Sequence, residues 1–299
     1  MNVKDRFATY HPVINFTFFL GALICGMILI HPGFLICSVL LSMVYYLTVR
    51  GRKGMGFLTG MMGMFLILSV INPLFGTYGD HVLFTYFGGR PYTLEALYYG
   101  MALAAMMVSI LSWFASYNAV MTSDKFLYLF GRMAPSVTLV LTTVLRLIPS
   151  YQKKVAQMNG ARKCIGKAMD IGSNLEKAEH GMVLISALTS WALEGGVITA
   201  DSMRSRGYGC EKKRTTFSLY RFECRDKAML AVMAILLTVV VLCIVKDGAQ
   251  AAYIPSVEIA GFENPATILG IMAYFLFLSI PSAVNIWEDI RWHSLKSKI

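Results

Sequence analysis

The sequence predicts an all-α polytopic membrane protein with about six transmembrane helices and a pair of long cytoplasmic helices. Of its 299 residues, 56% are hydrophobic and only 15% are charged, and the mean hydropathy is +0.58. A soluble domain of this length does not need so large an apolar fraction. The apolar residues also collect in long runs separated by short polar or basic turns, which is the pattern of helices that cross a bilayer.

Six apolar runs are candidates for these helices, since a spanning helix needs roughly 20 apolar residues. They cover residues 13–30, 34–49, 56–71, 94–115, 228–245 and 266–286. Gly56, Gly60 and Gly63 in the third run would let another helix approach closely. Residues 77–93, between the third and fourth runs, are expected to form a loop. Pro281 interrupts the sixth run near its end.

The basic residues give this arrangement an orientation. With the amino terminus on the cytoplasmic side, all of the 27 Lys and Arg residues except Arg90 and Lys246 fall on that side. This distribution satisfies the positive-inside rule and places both termini in the cytoplasm. The net charge of +10 therefore indicates orientation in a bilayer, and the chain is not expected to bind nucleic acid.

Residues 116–225 form the most basic part of the chain and are predicted to lie in the cytoplasm or at the inner membrane surface. Two apolar runs inside this region, residues 134–148 and 181–199, are not counted as spans. The first is short, and the second contains Glu194, which is costly in lipid. The predicted divisions are residues 1–115 with the first four spans, 116–225 with the cytoplasmic helices, and 226–299 with the last two spans and a tail.

The stretch that begins at Ser150 has the spacing of a helix with an apolar stripe. The apolar members are Tyr151, Val155, Met158, Ile165 and Met169. Arg162 falls in the middle of that stripe. A buried guanidinium needs a carboxylate or carbonyl partner; the alternative is that it extends to water or to lipid headgroups. Pro135 and Pro149 are expected to stand at the two ends of the preceding helix.

A second cytoplasmic helix is predicted to begin after Ser173, because Ser173 and Glu176 have the spacing of a capping box. Small residues along it would let another helix approach closely. They are Ala192, Gly195, Gly196, Thr199 and Ala200. Gly207 is expected to end this helix. Arg204 and Arg206 then lie in its last turns, where the helix dipole alone would favour cations.

Two short segments of this region resemble signatures of a known family, the transmembrane (T) component of energy-coupling factor transporters. That family carries an Ala-Arg-Gly-like signature near the end of each of two coupling helices. Ser205-Arg206-Gly207-Tyr208-Gly209 is a close match to the second signature. Ala161-Arg162-Lys163 is a looser match to the first, with Lys163 where glycine or serine is usual. The layout of the apolar runs is similar over most of the chain.

The resemblance implies a membrane scaffold that couples two cytoplasmic ABC-type ATPases to a separate substrate-binding membrane subunit. Such transporters take up vitamins and other micronutrients through the cell membrane of prokaryotes. The ATPase-coupling residues implied by the resemblance are Ala161, Arg162, Lys163, Ser205, Arg206 and Gly207. ATP hydrolysis would belong to the partner ATPases, so this chain is not expected to be an enzyme or to hold a cofactor or a metal.

The sequence itself carries no phosphate-binding loop. Five residues separate Gly160 and Gly166 where that loop has four, and Ala168 follows Lys167 where the loop has Ser or Thr. Two alternatives stay open. One is the related Q-type subunit of cobalt or nickel transporters, whose metal-binding function lies in other chains. The other is an intramembrane enzyme acting on a lipid-linked substrate, which would need an acidic or histidine cluster near the inner surface.

Overall fold

The structure, a computed structural model, describes residues 5–76, 81–86, 90–131, 134–210, 220–253, 258–259 and 264–296. The chain divides into two compact units. Unit 1 consists of Met1–Phe126 together with Tyr220–Ile299, and unit 2 is Leu127–Leu219.

The described residues are almost entirely helical, as the sequence predicts. The helices are α1 (Pro12–Ile28), α2 (Pro32–Arg50), α3 (Met55–Phe75), α4 (Leu94–Val120), α5 (Ser123–Gly131), α6 (Pro135–Cys164), α7 (Asn174–Ser205), α8 (Cys224–Val245) and α9 (Pro265–Lys296). The strands β1 (Val82–Tyr86) and β2 (Arg90–Thr93) form one antiparallel hairpin, and β3 (Ala251–Ala252) and β4 (Glu258–Ile259) form another. The first hairpin occupies part of the segment that was expected to be a loop.

Helices α1 and α2 begin in the same way, with a His-Pro pair. The Nδ1 atom of His11 accepts a hydrogen bond from the Val13 N–H at 3.3 Å, and that of His31 accepts one from the Gly33 N–H at 3.2 Å. The proline that follows each histidine stands in the first helical turn, where its missing N–H costs nothing. The imidazole therefore caps an amino-terminal N–H that would otherwise have no acceptor.

Several helices are long and apolar enough to cross a bilayer, which confirms the class of polytopic membrane protein. These segments are Pro32–Phe75 (α2 and α3 together), Leu94–Val120, Asn174–Ser205, Cys224–Val245 and Pro265–Glu288. Helix α1, with 17 residues, is apolar but shorter. Each of the six predicted spans thus corresponds to a helix of unit 1. Helix α7 is also long and apolar enough to cross a bilayer. Its position in the cytoplasm stays a prediction, which is based on the distribution of Lys and Arg residues.

Two expectations about the helix region from Pro135 to Met169 were wrong. Helix α6 does not end at Pro149 but continues through it to Cys164. A helix of 30 residues tolerates the one hydrogen bond that the proline ring removes. Because α6 ends at Cys164, Ile165 and Met169 lie beyond the helix, so the apolar stripe consists of its earlier members only.

The glycines of α3 do not pack closely against any described residue. A methyl group added at Gly56, Gly60 or Gly63 would meet no described atom within 4 Å. By contrast, Gly100 of α4 lies against the Ser69 carbonyl oxygen of α3, where an added methyl carbon would be 3.0 Å away. Helices α3 and α4 therefore pack through a different face of α3.

Large aromatic side chains fill the core of unit 1. The rings of Phe18, Phe19, Tyr45, Trp113 and Phe277 are fully buried, and most neighbouring pairs meet edge to face or tilted. Hydrogen bonds between helices accompany this apolar packing. The Ser38 hydroxyl of α2 bonds that of Ser109 in α4, and the Trp113 indole N–H donates to the Ser38 oxygen at 3.1 Å. Each buried polar group paired in this way avoids the cost of an unmade hydrogen bond.

The amino-terminal segment before α1 is held by a buried carboxylate. Asp5 accepts hydrogen bonds from the Tyr45 hydroxyl at 2.8 Å, the Asn285 amide at 2.8 Å and the Phe7 N–H at 3.2 Å. The Asn285 oxygen in turn accepts from the Arg6 N–H at 2.8 Å. Residues of α2 and α9 therefore hold residues 5–7 in place.

A buried lysine joins the same segment to the end of α4. The Lys125 ammonium donates to the Ala8 carbonyl at 2.6 Å and to the Val120 carbonyl, at the last residue of α4, at 3.1 Å. With its amide oriented to satisfy both neighbours, Asn15 accepts from the same ammonium at 2.9 Å. Burial lowers the pKa of Lys125, and the nearby charge of Asp5 opposes that shift. All three N–H bonds of the ammonium thus find oxygen acceptors.

The segment that leads into α8 also packs on the amino-terminal segment. Phe222 meets the His11 ring edge to face at 4.8 Å, and the Arg225 guanidinium lies 4.5 Å from the centre of the Tyr10 ring. Burial lowers the pKa of His11, with an opposing contribution from the Asp226 carboxylate. The start of α5 and the start of α8 are therefore both anchored on residues 5–15.

Candidate functional site

Unit 2 contains both segments that the sequence marks as functional. Helices α6 and α7 meet through a small number of side chains. The Tyr151 ring of α6 contacts the Trp191 ring of α7 edge to face at 5.5 Å, and the Lys154 ammonium lies 5.5 Å from the Trp191 ring centre. Among the described residues of this unit, only Ala168 and Leu184 are buried. The two helices therefore touch each other but cover little of each other's apolar surface.

The end of α6 is closed by a Schellman motif. The Gly166 N–H donates to the Lys163 carbonyl at 3.1 Å, and the Lys167 N–H donates to the Arg162 carbonyl at 3.0 Å. Gly166 has a φ of +71°, which places it in the left-handed region where glycine carries no steric penalty. The chain reverses at this point and carries Lys167 back alongside the last turn of α6.

This reversal gives Arg162 partners within its own unit. The Arg162 Nε–H donates to the Lys167 carbonyl at 3.0 Å, and Nη2 lies 3.4 Å from Nδ1 of His180 in α7. The side chain is half-buried. Of the two alternatives for Arg162, the structure therefore shows a carbonyl partner, supplied by the loop that follows the helix. His180 was not singled out from the sequence, because no motif contains it and its approach depends on the chain reversal.

Local hydrogen bonds hold the rest of the corner between α6 and α7. The Asn159 side-chain oxygen accepts from the Met169 N–H at 3.0 Å. The predicted capping box is confirmed: the Glu176 N–H donates to the Ser173 hydroxyl at 3.4 Å, and the Ser173 N–H donates to the Glu176 carboxylate at 2.7 Å. These bonds fix both the end of α6, which carries Arg162, and the start of α7, which carries His180.

The end of α7 repeats the backbone of the first helix end. The Gly207 N–H donates to the Arg204 carbonyl at 3.0 Å, and the Tyr208 N–H donates to the Met203 carbonyl at 3.1 Å. Gly207 has a φ of +78°, so the prediction that glycine ends this helix is confirmed. Arg206 is exposed, and within the described residues its side chain has no hydrogen bond or ion pair.

The two arginines occupy different places relative to these helix ends. Arg206 directly precedes its left-handed glycine, whereas Arg162 stands four positions before Gly166. Counted back from the left-handed glycine, Lys163 occupies the same position at the first helix end as Arg204 does at the second. The segments Ala161–Lys163 and Ser205–Gly207 are therefore offset by three residues, about one helical turn.

Apolar side chains are exposed along both helices of unit 2. On α6 they include Val137, Val140 and Val144, which border an open groove, and on α7 they include Leu193, Val197 and Ile198. The small residues Gly195 and Gly196 face open space among the described residues. Exposed apolar side chains in this number need a cover of lipid or of another protein.

Comparison with known proteins shows a similarity to a transporter membrane protein. The chain is 24% identical over 178 residues to the energy-coupling factor transporter transmembrane protein EcfT of Staphylococcus aureus. The aligned part covers 56% of this chain and 66% of that relative, which is slightly less than two thirds of its length. No family model matches the chain. The similarity to a transporter membrane protein agrees with the resemblance seen in the two arginine-containing segments.

Proposed function

We propose that this chain is the membrane-embedded coupling subunit of an ATP-driven transporter of the energy-coupling factor type. It would link two cytoplasmic ABC-type ATPases to a separate substrate-binding membrane subunit, for uptake of a vitamin or another micronutrient. The observation that carries the proposal is the pair of matching helix ends, each with an arginine close to a left-handed glycine. The similarity to EcfT supports the same assignment.

The two arginines are the proposed contacts to the ATPases. A guanidinium binds a carboxylate through two parallel charge-assisted hydrogen bonds, and Lys cannot reproduce that planar fork. Arg162 and Arg206 would each enter a groove on one ATPase and pair with a carboxylate there. The neighbouring residues Ala161, Lys163, Ser205 and Gly207 would border the same contacts. Because long helices move as rigid bodies, closure of the ATPase pair would be transmitted along α6 and α7.

The exposed apolar faces of α6 and α7 are the proposed contact to the substrate-binding subunit. Small residues let two helices approach closely in the absence of large side chains, and on α7 they are Ala192, Gly195, Gly196, Thr199 and Ala200. The bilayer covers the remaining apolar surface of the chain. The cell membrane of a prokaryote, with both termini in the cytoplasm, is the location that the distribution of basic residues favours.

ATP chemistry is assigned to the partners in this proposal. The sequence has no phosphate-binding loop, and the chain acts as a mechanical link without a cofactor. Purified without partners, it should neither bind nor hydrolyse ATP. Saturable ATP binding by the chain alone would contradict the scaffold assignment.

The central experiment compares the wild-type chain with the double variant Arg162→Glu/Arg206→Glu. Two ATPases should co-purify with the tagged wild-type chain from its native cells. No ATPase should co-purify with the double variant, and cells that carry this variant should take up no substrate. The matched comparison is Lys163→Glu/Arg204→Glu, which reverses two exposed basic residues at equivalent backbone positions and should cause a smaller loss, because Lys163 only borders the contact and Arg204 lies outside it. Co-purification and uptake at the wild-type level in the Arg162/Arg206 variant would refute the coupling role.

A further inference from the structure

We propose that His180 is a positioning residue for Arg162, which it holds in the conformation that binds a carboxylate of the partner. This inference rests on the proposed function and extends it to a residue outside both arginine-containing segments. It starts from the contact between Arg162 Nη2 and His180 Nδ1 at 3.4 Å and from the bond between Arg162 Nε–H and the Lys167 carbonyl at 3.0 Å.

The chemistry of the two side chains assigns the roles in this contact. A guanidinium has only N–H donors, so Nδ1 of His180 must be the acceptor. His180 is then neutral with its proton on Nε2. Glu176, one turn earlier in α7, is engaged with the Ser173 N–H in the capping box. The Arg162 guanidinium is therefore held by two neutral acceptors and keeps its full charge for a partner.

The contacts of the Arg162 guanidinium leave one of its edges available to bind a carboxylate. The bond to Lys167 uses the Nε–H, and the bond to His180 uses one N–H of Nη2. The other edge, which contains Nη1, is the fork that binds a carboxylate with two parallel hydrogen bonds. Among the described residues no acceptor bonds Nη1. The contacts inside unit 2 thus orient Arg162 without occupying its binding edge.

Orientation before binding changes affinity, because a side chain that is already ordered loses less freedom when the partner binds. Arg206 has no comparable support among the described residues. Loss of the acceptor at position 180 should therefore weaken the Arg162 contact and leave the Arg206 contact unchanged. We expect His180→Leu to weaken ATPase binding about 3- to 10-fold, the range for one side chain that must be ordered anew.

The experiment measures the affinity of the full chain in nanodiscs for the two ATPases that co-purify with the wild type. His180→Asn keeps an oxygen acceptor at the position of Nδ1 and should bind within about twofold of the wild type. In the Arg162→Ala background His180→Leu should have no further effect, because the two changes remove the same contact. In the Arg206→Ala background, His180→Leu should keep its full effect on affinity. A purely structural role of His180 would give losses that are independent of Arg162.

A second measurement needs no partner. In the chain labelled with ¹⁵N-arginine, hydrogen exchange at the Arg162 Nε–H should be faster in His180→Leu than in the wild type or in His180→Asn. The signal of Arg162 is identified as the one that is missing from the spectrum of Arg162→Lys. Unchanged exchange would overturn the positioning role. Wild-type affinity of His180→Leu, with weakened binding by Arg162→Ala, would overturn it as well while leaving the proposed function intact. Wild-type affinity of both Arg162→Ala and Arg206→Ala would instead refute the proposed function.

Discussion

Unit 1 and unit 2 are both rich in apolar residues, but they bury them to very different degrees. Unit 1 encloses side chains as large as Trp113, Tyr45 and Phe277 completely, whereas the described residues of unit 2 bury only Ala168 and Leu184. Unit 1 thus encloses an apolar core and exposes further apolar side chains, such as Leu66 and Phe75, whereas the described part of unit 2 encloses almost none and leaves its apolar faces to lipid or to another protein. Mutations in unit 1 should therefore change the stability of the chain, and mutations in unit 2 should change its assembly.

The largest effects are expected from charge reversal in unit 2. Arg162→Glu and Arg206→Glu should each weaken ATPase binding by roughly 3–5 kcal/mol, the cost of removing one partner from a buried charge pair. The free energy of unfolding of the isolated chain should change little. The measurements are dissociation constants in nanodiscs and denaturant unfolding of the chain alone. Equal losses for Lys163→Glu and Arg204→Glu would indicate general charge attraction in place of two specific contacts.

The next largest effect is expected in unit 1, at Lys125. Lys125→Met removes the ammonium from the Ala8 and Val120 carbonyls and leaves buried acceptors without a donor. We expect a loss of about 3 kcal/mol in the free energy of unfolding, since each unpaired buried group costs about 1–3 kcal/mol. Lys153→Met, at an exposed position of α6, is the control and should cost less than about 0.5 kcal/mol. Equal stability of the two variants would contradict the buried anchor.

A smaller effect is expected at the contact between α6 and α7. Trp191→Ala removes the edge-to-face pair with Tyr151 and the cation–π contact with Lys154. The expected loss is about 1–2 kcal/mol, confined to unit 2. Hydrogen exchange should rise in α6 and α7 and stay unchanged in α4. Leu193→Ala, at an exposed position of α7, is the control; a similar rise there would mean that the Trp191 contact is not specific.

The smallest effect concerns the dependence of stability on pH. Because burial lowers the pKa of His11 below its ordinary value of 6.5, the unfolded chain binds a proton more readily than the folded one. Stability should be unaffected by His11 above pH 6.5 and should fall as the pH drops below it. Protonation also removes the acceptor that caps Val13. The melting temperature at pH 5.5 should be a few degrees below that at pH 7.5.

His11→Asn tests this last prediction, because it keeps a capping oxygen but does not titrate. Its melting temperature should lose the part of the pH dependence that His11 causes. The same decline with pH in both proteins would assign the effect to other groups.

Local features of the fold and of the site could be predicted from the sequence. The capping box at Ser173 and the helix end at Gly207 depend on a few neighbouring residues, and both are confirmed. The contact between Arg162 and His180 depends on the chain reversal at Gly166, which residue spacing alone does not specify. Proline marks a helix end only as a tendency, so Pro149 inside a long helix was mispredicted. Two of the three partners of Lys125 are backbone oxygens, for which no side-chain pattern exists.

The hydrogen bonds of Asp5 have a consequence for the order in which the protein is made. Two of them come from Asn285 and Tyr45, and Asn285 lies 280 residues further along the chain. At the usual rate of translation, α9 leaves the ribosome roughly 15–55 s after the first residues. Until then the Asp5 carboxylate lacks its amide donor. Residues 5–15 can therefore reach their final structure only after α9 has been inserted, and a nascent chain arrested before α9 should leave these residues accessible to protease.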